Sequence, residues 1–411
     1  MRKIYTSIDI GTDEIKAVTI EDYNEKLNVL ATASVKTKGV KRGLITDANQ
    51  ITTALKKVIK TLESKLGTKV EQVLAIVPSN NIDINITMAE INITGENKII
   101  TGNKIFSCLQ KSLKNNVETD LEVVGIMPIE YKIDGIKKVK NPLGLEGNTL
   151  AAKSVVVSVP KKNVYSVVGI LESIGIEVVD ITISSIADYY AVKDKELDKE
   201  VISLVNIGKE KTVISIFNKG ILIKEKIIPL GGDEIDKVLE FNYKTDLEQS
   251  KKIKEECGVA NRRYADGDEN YQITNRLNQK LDINQYMLSE LIEFKLIEIL
   301  KNIKNEINIL TNREISYIIV TGAIVSMLGF NALLEDTYGR KGQVLNNNTI
   351  GIRASNYSSA YGSIRYFIDK LNLREKEYTM FIDEKVDEML KVRKKMGTGS
   401  ALGKIFGKIF E

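Results

Sequence analysis

The residues with the clearest chemical potential stand in short turns that follow β-prone runs. The first turn is Asp9-Ile10-Gly11-Thr12, at the end of the run over 4–10. A glycine has no Cβ, so the backbone N–H groups beside it can approach a phosphate closely. An aspartate next to such a turn can hold a hydrated Mg²⁺ ion through water. Because four such residues more often form an ordinary hairpin turn, the motif needs support from elsewhere in the chain.

A second turn of this kind follows a strand-like run that begins near residue 201. It reads Asn206-Ile207-Gly208-Lys209-Glu210-Lys211-Thr212 and precedes another β-prone run. A hairpin-type start therefore occurs twice, near residues 4 and 201, which predicts an internal duplication. A third turn, Thr321-Gly322-Ala323, follows the buried run over 315–321, and an adenosine moiety could rest against it.

The composition excludes several classes of function. The 411 residues include no histidine, which removes serine triads, cysteine–histidine dyads and HExxH zinc sites. Cys108 and Cys257 lie too far apart in sequence for a CxxC zinc site, and we expect reduced thiols in a cytoplasmic protein. The net charge of +4 argues against a general nucleic-acid binder. No secretory signal and no long apolar run is evident, so we expect any membrane contact to be peripheral.

Hydrophobic periodicity predicts the elements that position these turns. A helix is expected over 47–65 with Asp47 as its N-cap. Its apolar face is formed by Ile51, Leu55, Val58 and Leu62. From about 84 to 150, short alternating strands surround a helix near 103–115, which predicts a small α+β insert. Residues 233–310 are expected to be rich in helix.

The C-terminal run is amphipathic. Its large apolar residues fall on one helical stripe, which consists of Leu402, Ile405, Phe406, Ile409 and Phe410. Lys404 and Lys408 lie beside that stripe, and Ser400 is a suitable N-cap. Ten residues make roughly 15 Å of helix, half the thickness of a bilayer core, so the helix can only lie in the interface. The alternative is a helix docked on its own protein or in a partner's groove. The charged segment before it favours a detached, membrane-binding tail.

Two segments of the insert carry a more specific likeness. Pro128-Ile129-Glu130-Tyr131-Lys132-Ile133-Asp134, followed by Lys140-Asn141-Pro142-Leu143-Gly144-Leu145-Glu146-Gly147, is similar to a signature of the bacterial cell-division family FtsA. The three turns resemble the phosphate-1, phosphate-2 and adenosine segments of the actin/Hsp70/hexokinase superfamily. The resemblance covers nearly the whole chain. It implies an α/β, actin-like two-domain fold with a nucleotide cleft, in which a small α+β insert, subdomain 1C, replaces subdomain 1B of actin.

The resemblance also implies where the subdomains begin and end. The expected divisions are subdomain 1A over 1–83 and 165–200 with a return over 356–383, subdomain 1C over 84–164, subdomain 2A over 201–234 and 311–355, subdomain 2B over 235–310, a charged flexible linker over 384–399, and the C-terminal amphipathic helix over 400–411.

Residue by residue, the resemblance implies a site for ATP and Mg²⁺. The expected cofactor-binding residues are Asp9, Gly11, Thr12, Asn206, Gly208, Thr212, Gly231, Gly232, Lys254, Gly322 and Ala323. Asp9 is also the expected residue for the metal. The pair Gly231-Gly232 belongs to this set because the superfamily often places another nucleotide-facing turn there.

Departures from the family's pattern predict weak or slow chemistry. The second loop of relatives that hydrolyse ATP reads Asp-x-Gly-Gly-Gly-Thr, whereas here Asn206 replaces the carboxylate and Lys209 and Glu210 replace two glycines. An amide cannot accept a proton from water, so no catalytic residue is predicted and ATP hydrolysis is expected to be very slow at most. Asp13 stands where a small residue is usual, and its charge is expected to repel phosphate. Lys251 stands at the place of a family glutamate.

The function that the resemblance implies is structural. Such a protein binds ATP, polymerises at the cytoplasmic face of the cell membrane at the division septum, and tethers filaments of the tubulin-like protein FtsZ. The expected partners are the C-terminal peptide of FtsZ on residues 235–310, other copies of the chain, an anionic membrane surface and other division proteins, with no nucleic acid. Two alternatives remain: an ATP phosphotransferase or chaperone-like ATPase of the superfamily, and an actin-like adaptor of pilus assembly.

Overall fold

The computed structural model describes residues 2–95, 97–114, 116–346, 352 and 357–381. The first lobe begins with a hairpin, a third strand and a long helix. Its elements up to residue 77 are β1 (Lys3–Ile10), β2 (Glu14–Tyr23), β3 (Lys26–Lys36), β4 (Val40–Lys41), β5 (Leu44–Ile45), α1 (Ala48–Leu66) and β6 (Gln72–Val77). Helix α1 has the predicted cap, because the carboxylate of Asp47 accepts a hydrogen bond from the backbone N–H of Gln50. The four predicted apolar residues of this helix are buried against β2 and β3.

The predicted α+β insert is confirmed as a four-stranded sheet with one helix. Its elements are β7 (Asp83–Asn92), α2 (Gly102–Leu113), β8 (Leu121–Ile133), β9 (Lys137–Val139) and β10 (Thr149–Pro160). The strands are ordered β7-β10-β8-β9, with β7 at one edge, and α2 packs across β7 and β10. The insert has a small core of its own, to which α2 contributes Ile105, Cys108 and Leu109.

The chain returns from the insert to complete the first lobe. The next elements are α3 (Lys161–Ser173), β11 (Glu177–Ile183) and α4 (Ser184–Val192). The sheet of this lobe has the order β3-β2-β1-β6-β11, in which the first three strands are antiparallel and the last three are parallel.

The second lobe repeats this plan. Its elements are β12 (Val201–Ile207), β13 (Thr212–Asn218), β14 (Ile221–Ile228), α5 (Asp233–Tyr243), α6 (Leu247–Cys257), β15 (Asn270–Thr274), β16 (Lys280–Asn284), α7 (Gln285–Leu310), β17 (Tyr317–Thr321), α8 (Phe330–Tyr338) and β18 (Gly342–Val344). Its main sheet has the order β14-β13-β12-β17-β18, again three antiparallel strands followed by parallel ones. The predicted duplication is therefore confirmed. The expectation of helix over 233–310 holds for α5, α6 and α7, and it missed the hairpin of β15 and β16.

The last described helix, α9 (Ser358–Leu373), crosses back to the first lobe and packs against α4 and β1. Within the described residues, no helix is long and apolar enough to cross a membrane. The predicted linker over 384–399 and the predicted amphipathic helix over 400–411 lie outside the described residues.

Candidate functional site

A cleft of about 460 Å³ lies between the two lobes, where the hairpin turns of both sheets face each other. Most of the predicted cofactor-binding residues line it: Asp9, Gly11, Thr12, Asn206, Gly208, Gly232, Lys254, Gly322 and Ala323. Two of the predicted residues, Thr212 and Gly231, do not line the cleft. The buried hydroxyl of Thr212 donates a hydrogen bond to the carbonyl of Leu230 at 2.7 Å. A Cβ on Gly231 would lie 2.4 Å from the carbonyl oxygen of Lys209, so this glycine supports the second turn from behind.

The two hairpin turns have the same backbone geometry. The N–H of Gly11 donates to the carbonyl of Glu14 at 3.0 Å, and the N–H of Gly208 donates to the carbonyl of Lys211 at 2.9 Å. A Cβ on either glycine would lie 2.9 Å from that same carbonyl oxygen. Each turn therefore needs glycine for its own closure, in addition to any close approach of a ligand.

The third turn is held against the second. Gly322 has a φ of +112°, and a Cβ on it would lie 2.2 Å from the carbonyl oxygen of Ile207. Helix α5 also begins beside the second turn, because the N–H groups of Gly232 and Asp233 donate to the carbonyls of Gly208 and Lys209, both at 2.9 Å. Three backbone segments of the second lobe thus converge on one wall of the cleft.

The expectation for Asp13 requires a correction. Its carboxylate accepts a hydrogen bond from the ammonium group of Lys251 at 2.5 Å and lies 3.5 Å from the ammonium group of Lys209. Burial acts to raise the pKa of Asp13, but the two lysines outweigh it and hold that pKa below its ordinary value. The negative charge that was expected to repel phosphate is therefore balanced by two lysines of the second lobe. The lysine at the place of the family's glutamate is one of them.

The side chain of Asn206 is hydrogen-bonded to a buried carboxylate that was not predicted from the sequence. Its amide Nδ2 donates to Asp188 of α4 at 2.8 Å. The hydroxyls of Ser358 and Ser359 donate to the same carboxylate at 3.0 and 2.7 Å. Burial raises the pKa of Asp188 to about 6, although these hydrogen bonds favour the ionised form. The hint in the sequence was one aspartate within the largely apolar stretch over 185–192.

Lysines form a large part of the cleft's polar lining. The ammonium group of Lys254 lies 2.6 Å from the carboxylate of Asp236 and donates to the carbonyl of Gly232 at 3.0 Å. The ammonium group of Lys211 donates instead to the side-chain oxygen of Asn80 at 3.1 Å, across the cleft on the first lobe. Neither Lys211 nor Asn80 was predicted, because a lysine in a turn normally points to solvent.

Solved structures place this fold in a known class. A chain of the PilM–PilN type IV pilus biogenesis complex is similar with a TM-score of 0.58 and 13% identity, over 88% of this chain and 98% of that one. MreB5 of Spiroplasma citri bound to AMPPNP is similar with a TM-score of 0.52 and 11% identity, over 90% of this chain and 97% of that one. These likenesses establish the fold alone. With the cleft between two duplicated lobes, they show an actin-like fold and confirm the predicted fold class for the described residues.

Sequence comparison is more specific. The family model for cell division protein FtsA matches residues 203–362, and the model for the SHS2 domain inserted in FtsA matches residues 79–158. Cell division protein FtsA of Bacillus subtilis is 26% identical over 366 residues, covering 89% of this chain and 83% of that protein. FtsA of Streptococcus pneumoniae is 25% identical over 351 residues, covering 85% of this chain and 77% of that protein. The chain belongs to the FtsA family of cell division proteins, as the resemblance predicted.

Proposed function

We propose that this chain is an actin-like division protein that binds ATP between its lobes, polymerises on the cytoplasmic face of the membrane at the division septum, and tethers FtsZ filaments there. The observation that carries the proposal is the combination of two features in one chain. A duplicated pair of glycine turns faces a common cleft, and the first lobe carries the insert that the FtsA-specific domain model matches.

In the cleft, each of the three turns has a proposed role in nucleotide binding. The backbone around Gly11 and Gly208 would contact the phosphates, and Gly322-Ala323 would support the adenosine moiety. Lys254 keeps its proposed place beside the nucleotide, although Asp236 already pairs with its charge. The place of the carboxylate in relatives that hydrolyse ATP is taken by Asn206, whose amide is tied to Asp188, and the carboxylate of Glu210 is bound to the N–H of Arg42. Hydrolysis is therefore expected to be very slow at most.

The Mg²⁺ ion that the resemblance implies does not suit the side chains around Asp9. Burial raises the pKa of Asp9, and the positive charges of Lys16 and Lys211 act against that rise. A carboxylate that lies in the positive field of two lysines is a poor partner for a divalent cation, since the ammonium groups repel the ion. No step of the proposed function is routed through a metal.

For assembly, the proposed surfaces are an edge of the insert and the outer helices of the second lobe. Strand β7 ends its sheet and exposes Ile86 and Met88, which are 63% and 65% accessible. An edge strand with apolar side chains is suited to a head-to-tail contact between copies of the chain. Phe241 of α5 and Phe294 of α7 are also exposed, and they would receive the C-terminal peptide of FtsZ.

Membrane attachment is assigned to the tail, which lies outside the described residues. The test is cosedimentation of the full chain and FtsZ filaments with anionic liposomes. We expect wild type to bring FtsZ into the pellet, and Phe406→Glu to abolish this because a carboxylate would enter the apolar face. Lys404→Gln is the matched control and should only weaken binding, by an amount that high salt masks. Sedimentation of Phe406→Glu protein at the wild-type level would contradict membrane binding by the tail. Failure of wild type to pellet FtsZ would contradict the tether.

A further inference from the structure

The lysines of the cleft are not equivalent. Five of them line it within the described structure: Lys16, Lys209, Lys211, Lys251 and Lys254. Four have a carboxylate within 4.0 Å of the ammonium nitrogen, since Lys16 meets Glu14, Lys209 and Lys251 meet Asp13, and Lys254 meets Asp236. For Lys211, the described residues supply one neutral hydrogen-bond acceptor, the amide oxygen of Asn80.

The ammonium group of Lys211 is also deep in the cleft. A Cβ built on Gly43 would lie only 2.2 Å from its nitrogen, so the group passes directly over that stretch of backbone. Burial lowers the pKa of Lys211, while the negative charges of Glu225 and Asp9 oppose the change. Neither carboxylate forms an ion pair with it within 4.0 Å in the described structure. An ammonium group has three donors, and at least two of those of Lys211 remain for a ligand.

A partly buried cation without a contacting counter-ion is costly unless a ligand supplies the negative charge. The cleft lies between two glycine turns whose geometry suits phosphate, and lysine binds phosphate as a compact point charge. We propose that the ammonium group of Lys211 supplies the positive charge for the nucleotide's phosphates, so that this chain binds its nucleotide without a divalent cation. This inference rests on the proposed nucleotide-binding function and replaces the predicted role of Asp9 toward Mg²⁺. Asp9 then serves as a counter-charge to Lys211.

A structural role is the competing explanation, because the bond from Lys211 to Asn80 also joins the two lobes. The two explanations predict different effects of Mg²⁺ on nucleotide binding once Lys211 is removed. If Lys211 only holds the lobes together, its removal weakens nucleotide binding equally with and without Mg²⁺. If its charge replaces the metal, its removal should make binding depend on Mg²⁺, because the ion can then approach Asp9 and the phosphates without repulsion.

The experiment is calorimetric titration of the full chain with ATP, once in excess EDTA and once in Mg²⁺. Wild type should bind with dissociation constants that agree within about threefold. Lys211→Gln, which keeps the length of the side chain but removes its charge, should bind at least about tenfold more weakly in EDTA and recover most of that loss in Mg²⁺. Lys38→Gln is the matched control, because it makes the same change in a lysine that also joins the two lobes, at Glu248, but does not line the cleft. It should change both constants by less than about threefold.

Each failure has its own signature. Wild-type binding that weakens tenfold or more in EDTA would overturn the inference and leave the proposed nucleotide function standing. Equal weakening of Lys211→Gln in both buffers would also overturn it, in favour of the structural role. Absence of ATP binding by wild type in both buffers would overturn the proposed nucleotide function and the inference with it. Thermal unfolding of the three proteins without nucleotide establishes that each one is folded.

Discussion

The two hairpin turns of the cleft are alike in backbone and unlike in side chains. Both close by a hydrogen bond from a glycine N–H to the carbonyl three residues later. The corresponding residues of the first turn are Thr12, Asp13 and Glu14, and the hydroxyl of Thr12 accepts a hydrogen bond from the N–H of Gly43 within its own lobe. The second turn carries Lys209, Glu210 and Lys211 in succession.

All three of these charged side chains reach the other lobe. Lys209 meets Asp13, Lys211 meets Asn80, and the carboxylate of Glu210 accepts a hydrogen bond from the N–H of Arg42 at 2.5 Å. Substitutions that look in sequence like the decay of a phosphate loop are thus contacts that join the lobes. A single glycine preserves the duplicated backbone, and the remaining side chains are free to acquire other roles.

The largest expected effect concerns the third turn, which supports the second turn. The first lobe has no glycine at the corresponding place, since Pro78 follows β6 there. Gly322→Ala places a methyl group against the carbonyl of Ile207 in a left-handed backbone conformation, and we expect it to lower the free energy of unfolding by about 3 kcal/mol. Urea denaturation measures this change.

Gly135→Ala is the control for that substitution. Gly135 also has a positive φ, +68°, but nothing lies within 4 Å of a Cβ built there. The cost should therefore be that of the backbone alone, about 1 kcal/mol. Equal losses for the two variants would mean that the close contact of the third turn with the second adds nothing to stability.

The next effect is pH-dependent and comes from the carboxylate beneath Asn206. The pKa of Asp188 is about 6 in the folded chain against 3.8 for a free side chain, so the folded state takes up a proton first as the pH falls. Stability from this group should therefore rise by about 1 kcal/mol between pH 7 and pH 5. The measurement is the free energy of unfolding of wild type minus that of Asp188→Asn at each pH.

That difference isolates Asp188, because burial also raises the pKa values of Asp9 and Glu225, which are common to both proteins. The asparagine variant can still accept hydrogen bonds from Ser358 and Ser359. A difference between the two proteins that stays constant from pH 5 to pH 7 would show that Asp188 does not titrate in this range.

The backbone conformation of the site could be predicted from the sequence, whereas the contacts of its charged and polar side chains could not. The glycines of the turns, the N-cap Asp47 and the two hairpin starts follow from local rules that each residue obeys with its neighbours. Asp13 was misjudged because the lysine that balances it lies 238 residues away, on a helix of the other lobe. Thr212 was placed in the cleft by likeness to other loops, whereas its hydroxyl closes the second turn onto Leu230.

The smallest expected effect tests whether ion pairs between the two lobes contribute to stability. In a double-mutant cycle of Asp13→Asn and Lys251→Gln, we expect a coupling free energy of about 0.5–1 kcal/mol that falls in high salt. The two side chains are 32% and 19% exposed, so solvent screens the pair only in part. The matched control is Lys38 and Glu248, which also join the first lobe to α6, at 3.6 Å, but are 83% and 88% exposed. Its coupling should be near zero. If Asp13 and Lys251 couple no more strongly than this control, their charges are merely tolerated at the mouth of the cleft. The contrast between the two turns would then rest on the contacts that Glu210 and Lys211 make with the first lobe.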